Sequence, residues 1–373
     1  MAEIHIDPGT SLAMPKAQLD VLLARLRERG YQTIGPKLRD NALLYLPLQS
    51  MAELPRGYTS EQNAGQYRLV HSGHTRYFDI IPGPHTWKQF LFPPREALLA
   101  FQKNGAWQEK KTDEPASRYA FIGVRGCELA AINIQDRVFL REDYSDPLYR
   151  ERRQNLFLLS VSCMAPAGTC FCVSMNTGPR PSGGFDINLT ELEDVFLLET
   201  GSELGCQMLE GFDLQPASAF VQQSAQKGLD RAAKRMGREL DTSDLPDLLL
   251  RNTEHPHWSA VARRCLSCAS CTIVCPTCFC WDTVEHPALN GSATSRERIW
   301  DSCFNPGYSY QAGGNTRPTV RSRYRQWLTH KLGTWKLQFD VLGCVGCGRC
   351  ITWCPVGIDI TEEIDTLRKE SRS

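Results

Sequence analysis

Apolar positions recur at helical spacing along residues 16–29. Leu19, Leu22, Leu23 and Leu26 share one face and Gly30 ends the run, which predicts an amphipathic helix. Short β-type runs follow at 43–48, 67–70 and 77–81, with Pro and Gly between them. Leu98, Leu99 and Phe101, behind Pro93 and Pro94, read as the start of another helix. Two unbroken apolar runs come next, at 119–124 and 156–161. Without polar alternation, such runs predict strands buried on both faces of a sheet. A helix is expected over 128–139, a strand over 194–200 and a helix over 216–238, with a linker at 241–247. Beyond it the pattern turns helical, at 258–264 and 317–332. A chain of 373 residues has room for two or three domains. The expected division is an α+β or α/β N-terminal domain over 1–240 and a helical domain over 241–373.

Lys plus Arg and Asp plus Glu stand at 42 each, so the formal net charge is zero. That gives no electrostatic case for nucleic acid or an anionic membrane. No apolar run approaches the length of a membrane span. The first residues lack both the basic-then-apolar profile of a secretory signal and a twin arginine. The expected location is cytoplasmic, where cysteines in C-x2-C spacing point to metal rather than to disulfides.

Sixteen cysteines change the picture. Cys265, Cys268, Cys271 and Cys275 precede Pro276, and Cys344, Cys347, Cys350 and Cys354 precede Pro355. Both runs read C-x2-C-x2-C-x3-C-P, the bacterial ferredoxin spacing, in which three thiolates wrap one cluster and the fourth reaches the other. The expectation is one 4Fe–4S cluster on Cys265, Cys268, Cys271 and Cys354, and a second on Cys344, Cys347, Cys350 and Cys275. Structural zinc uses separated C-x2-4-C pairs instead. The runs stand further apart than in small β-type ferredoxins. Between them the chain reads as helical, which predicts the all-α ferredoxin fold of succinate dehydrogenase iron–sulfur subunits.

A third site is expected in the N-terminal domain. The run 119–124 leads to Cys127 and the run 156–161 to Cys163, and ligands collect at the carboxyl ends of neighbouring strands. Cys170 and Cys172 follow in a Pro/Gly/Thr-rich loop. These four thiols suit a third 4Fe–4S cluster, with zinc or unligated buried thiols as alternatives. Cys278, Cys280 and Cys303 do not complete a four-thiolate set, and Cys206 is the one unassigned fourth. They read as tuning groups or buried thiols, with cluster ligation completed by an outside fourth ligand as the alternative. His71, His74 and His85 read as surface or core residues, and His255 and His257 as no more than donors to a cluster. Arg321, Arg323, Arg325 and Lys331 read as a solvated helix face. The stretch 201–205 lacks the dinucleotide and P-loop fingerprints, so no flavin or NAD site of the chain's own is expected.

Taken together, six segments resemble one family: 123–131 (Gly-Val-Arg-Gly-Cys-Glu-Leu-Ala-Ala), 146–153, 170–175, 275–280 (Cys-Pro-Thr-Cys-Phe-Cys), 300–303 and 347–360. With Gly313-Gly-Asn-Thr-Arg317, they resemble the β subunits of cytoplasmic NAD(P)-linked nickel–iron hydrogenases, also called sulfhydrogenases. They are closely similar, too, to the equivalent electron-transfer component of anaerobic sulfite reductase. The similarity covers roughly residues 95–360. The family usually has aspartate where Glu128 stands and often histidine where Asn315 stands. The resemblance implies an electron-transfer subunit with several 4Fe–4S clusters and no catalytic site of its own. Its partners would be a hydrogenase catalytic subunit, or a sulfite reductase one, and on the other side a flavin/NAD(P)-binding reductase subunit. A zinc-binding structural or assembly protein is the remaining rival.

Metal analysis separates these readings. Anaerobically purified protein is expected to carry iron with matching labile sulfide, about eight irons for two clusters and about twelve for three. Zinc without iron or sulfide would decide for the assembly protein.

Overall fold

A computed structural model describes residues 6–81, 83–110 and 118–371. The strands in chain order begin with β1 (Ser11–Pro15), β2 (Gln32–Arg39), β3 (Ala42–Pro47), β4 (Tyr58–Asn63), β5 (Gln66–His71), β6 (Arg95–Asn104) and β7 (Ala106–Glu109). They continue with β8 (Tyr119–Arg125), β9 (Phe157–Val161), β10 (Ile187–Glu191), β11 (Val195–Thr200), β12 (Gln215–Pro216), β13 (Trp281–Pro287) and β14 (Ala293–Trp300). The two unbroken apolar runs are β8 and β9, side by side and parallel in an eight-stranded sheet ordered β12-β1-β11-β10-β9-β8-β2-β3. β2, β8, β9 and β10 form its parallel centre, and antiparallel strands close both edges. Every residue of β9 and β10 is buried, as strands covered on both faces require.

The helix Gln18–Glu28 lays Leu19, Leu22, Leu23 and Leu26 on one face of this sheet, in a core with Leu12, Phe157, Leu159 and Leu198. Burying each leucine is worth about 1.5–3 kcal/mol. Packing, rather than intrinsic propensity, therefore holds so short a helix. The helix Gly126–Phe139 covers the opposite face, with Leu129, Ile132 and Phe139 against Phe121, Leu158 and Trp87. A second core joins Trp258, Tyr324, Trp327, Leu328, Leu332, Ile364 and Leu367. It lies among the helices His257–Arg264, Val320–Thr329 and Ile360–Glu370.

Several local expectations are corrected. Leu98, Leu99 and Phe101 lie in strand β6, not in a helix, because β6 pairs with β14 from the distant C-terminal part of the chain. β13, β14, β6 and β7 make a four-stranded sheet. The stretch between the two cysteine runs is thus a β-hairpin first and helical only afterwards. Residues 77–81 are irregular because the Arg125 guanidinium takes the Phe78 and Ile80 carbonyls that a ladder would have used. The helix Leu245–Arg251 begins inside the expected linker. Arg321 and Arg325 are paired with Glu254, while Arg323 and Lys331 are buried. That helix face is therefore not simply solvated.

One buried carboxylate ties the sheet to the second cysteine run. Glu128, in the first turn of the helix after β8, accepts from Tyr45 Oη (2.6 Å), Trp87 Nε1 (3.2 Å) and the Arg125 backbone N–H (3.1 Å). It also pairs with the Arg349 guanidinium, and both side chains are almost wholly buried. Removing one partner of a buried pair strands the other charge. Glu128→Ala is expected to cost about 3–5 kcal/mol in urea unfolding, and a loss below about 1 kcal/mol would show that the pair does not hold the halves together.

Candidate metal centres

The two ferredoxin-type runs fold alike because the same two positions in each turn left-handed. In the first run these are Ser267 (φ 54°) and Ala269 (φ 66°), and in the second Gly346 (φ 64°) and Gly348 (φ 73°). Alternating hand in consecutive residues turns backbone N–H groups inward and makes a concavity for anions, iron–sulfur sites included. Ser267 N donates to Cys265 Sγ and Gly346 N to Cys344 Sγ, both at 3.4 Å. Ile358 N donates to Cys354 Sγ at 3.3 Å. The second run needs glycine for a further reason. A Cβ on Gly346 would stand 2.5 Å from Phe171 O, and one on Gly348 2.4 Å from Thr169 O.

The first void is lined by Cys265, Cys268, Cys271 and Cys354, with Cys350 beside them. Three thiols thus come from one run and the fourth from the other, the crossed pattern expected from the spacing. Cys275 interacts with Cys344 and Cys350, and Cys350 with Cys347, so the complementary set is also brought together. A hydrogen bond from Cys278 holds the Cys275 thiol well below its ordinary range, and the Lys331 ammonium adds to this against the effect of burial. Lys331 Nζ lies 3.2 Å from Cys275 Sγ and 3.0 Å from Gly343 O.

The neighbouring strands β8 and β9 place Cys127 and Cys163 as their order requires. Cys127 opens the helix after β8, and Cys163 follows β9 with its N–H on Pro179 O at 3.0 Å. With Cys170 and Cys172 they line a single void, bordered by Cys347, Arg125 and Arg349. Burial pushes the Cys163 thiol up, and the Cys170 thiol up to about 12. Four such thiols stay protonated unless a metal displaces the protons. Arg125 and Arg349 supply positive charge at the wall, and Arg125 Nη1 has no hydrogen-bond partner among the described residues. An unused buried donor beside four thiols fits a sulfur-rich anionic group. The 170–177 loop is pinned to the second run by Phe171 N on Gly346 O (2.8 Å) and Thr177 Oγ1 on Val345 O (2.6 Å).

Cys278, Cys280 and Cys303 line a separate, smaller void with His330, a residue that no motif in the sequence singled out. Cys206 is not their partner, since its side chain bonds to Thr200 at the end of β11. His257 pairs with Glu363 at 2.8 Å and His74 lies 3.6 Å from Asp79, so both have structural partners. No described helix is long and apolar enough to cross a membrane.

Comparison with known proteins bears on these sites directly. The family described as the 4Fe-4S dicluster domain matches residues 264–358, the span of both runs. Sulfhydrogenase 2 subunit beta of Pyrococcus furiosus is 34% identical over 351 residues, which covers 92% of this chain and 94% of that one. No solved structure matches the chain significantly. The cysteine runs and the likeness along nearly the whole chain give one conclusion: this protein belongs to the family of sulfhydrogenase β subunits, iron–sulfur proteins of electron transfer.

Proposed function

We propose that this chain is the relay of a multi-subunit oxidoreductase, passing single electrons between a nickel–iron catalytic subunit on one side and, on the other, a flavin/NAD(P)-binding reductase subunit. The observation that carries this reading is the adjacency of three cysteine quartets. Cys350 of the second quartet borders the first void, and Cys347 borders the third. The ligands would be Cys265, Cys268, Cys271 and Cys354 for one 4Fe–4S cluster, Cys344, Cys347, Cys350 and Cys275 for the next, and Cys127, Cys163, Cys170 and Cys172 for a third. When bound, such clusters supply one-electron steps at potentials that the surrounding protein sets.

The chain's own part is to hold and tune. Inward N–H groups at Ser267, Gly346 and Ile358 contact ligand sulfur and favour the more negative, reduced form. Lys331 does the same beside Cys275, and Arg125 and Arg349 beside the third quartet. The first quartet opens to the surface: Cys268 is exposed, with Leu266 64% and Val356 37% exposed at its rim. An apolar rim around a solvent-facing site supports entry or exit of electrons there through a partner subunit.

The helices around the second core support an α-helical ferredoxin unit, with β13–β14 as an excursion onto β6. A boundary near residue 240 keeps 1–240 and 241–373 as working domains. A sulfite-reductase-type complex would use the same relay with a different terminal partner. Nickel or sirohaem in the co-purified complex distinguishes the two.

Serine at Cys127, Cys163, Cys170 and Cys172 is expected to lower iron by about four per chain and leave the two ferredoxin-type clusters in place. An unchanged iron count in folded protein would remove the third site.

A further inference from the structure

The relay leaves Cys278, Cys280 and Cys303 without a task, yet the fold gathers them. Cys280 leads into β13 and Cys303 follows β14, so the hairpin returns one to the other. At its base Trp281 pairs with Trp300, and Asp301 N donates to Cys280 O at 2.9 Å. The Cys280 and Cys303 thiols interact with each other, and the Cys278 thiol with that of Cys275 in the second quartet. All three cysteines line one void together with Trp327, His330 and Trp335.

Three further features of this void point to a bound group. First, the helix that begins at Val320 widens into a π-turn over His330–Thr334 before continuing as Trp335–Phe339. Such turns recur at functional sites because they change which side chains share a face. Here His330, Lys331 and Trp335 all reach the void. Second, His330 Nε2 lies 3.0 Å from Gln338 Oε1. An amide oxygen only accepts, so Nε2 carries the proton and Nδ1 keeps its lone pair, the arrangement found where histidine binds a metal. Third, the indole N–H groups of Trp327 and Trp335 are buried with no partner among the described residues. Both indoles border this void, Trp327 standing between it and the first one, and unsatisfied buried donors call for an acceptor close by.

We propose that Cys278, Cys280 and Cys303, with His330 as the fourth ligand, hold an additional iron–sulfur cluster whose sulfur atoms accept from Trp327 and Trp335. Three thiolates and one imidazole complete a four-ligand set of the soft and intermediate donors that iron–sulfur clusters use. A single metal ion fits less well. Among the described residues no three Cys, His, Asp or Glu side chains converge closely enough to hold one ion. Binding would displace the thiol protons and exchange no electrons with the protein. The site stands beside the relay: Cys278 interacts with Cys275, and Cys303 with Cys271 of the first quartet. The inference rests on the cluster-carrying role proposed above.

Iron and labile sulfide in the anaerobically purified complex, for wild type and for Cys280→Ser/Cys303→Ser, test it. The double variant is expected to lose roughly two to four irons with equal sulfide, while Cys206→Ser loses none. In case the double variant fails to fold, His330→Cys provides a second test. Pulsed EPR of the reduced wild type should show a ¹⁴N coupling from Nδ1 that disappears in His330→Cys while the iron count is retained. Equal iron in wild type and the double variant would overturn the site, as would release of zinc alone or a Cys280–Cys303 disulfide in the native complex. A wild-type complex without iron on this subunit would instead defeat the underlying relay.

Discussion

The ion pair between Glu128 and Arg349 is the contact on which the arrangement of the cysteines depends. Both groups are buried, and a buried charge is tolerated only when it is paired and hydrogen-bonded. Glu128 sits one residue after Cys127 and Arg349 two after Cys347. The pair therefore fixes how the sheet's cysteines stand against the second ferredoxin-type run. Tyr45 from β3 and Trp87 from the segment before β6 complete the carboxylate's partners, so three parts of the sheet domain converge on one residue.

Around that contact the second run is held from several sides. The 170–177 loop bonds to its Val345 and Gly346 carbonyls, and Gly65 N between β4 and β5 donates to Ile351 O at 3.1 Å. Such close approach leaves no space for a Cβ at 346 or 348, which is why glycine occupies both positions. The first run faces solvent on one side and makes the same turns with Ser267 and Ala269. The proposed relay thus has one quartet at the surface, one at the centre and one at the carboxyl ends of β8 and β9.

Much of this was legible in the sequence where chemistry is local. The C-x2-C-x2-C-x3-C-P spacing carries the crossed thiol sets, because the turn that brings three cysteines together is made by the run itself. The third quartet was legible because two unbroken apolar runs end at cysteines, and buried parallel strands tend to be neighbours. What stayed hidden depends on distant partners. β6 looks helical beside its prolines and becomes a strand only through β14. His330 acquires meaning only when a π-turn and a hairpin bring it to three cysteines that lie 27 to 52 positions before it. Arg323 and Lys331 look like surface charges until the fold shows them facing sulfur or backbone oxygen. Unused indole donors such as those of Trp327 and Trp335 leave no mark in a pattern of residue types.

If the quartets border one another as the shared residues Cys347 and Cys350 require, the electrons they hold must sense each other. EPR of the fully reduced protein tests this most directly. The account predicts broad, fast-relaxing spectra split by spin–spin interaction between neighbouring clusters. A plain sum of isolated signals, unchanged when any one quartet is removed, would contradict it.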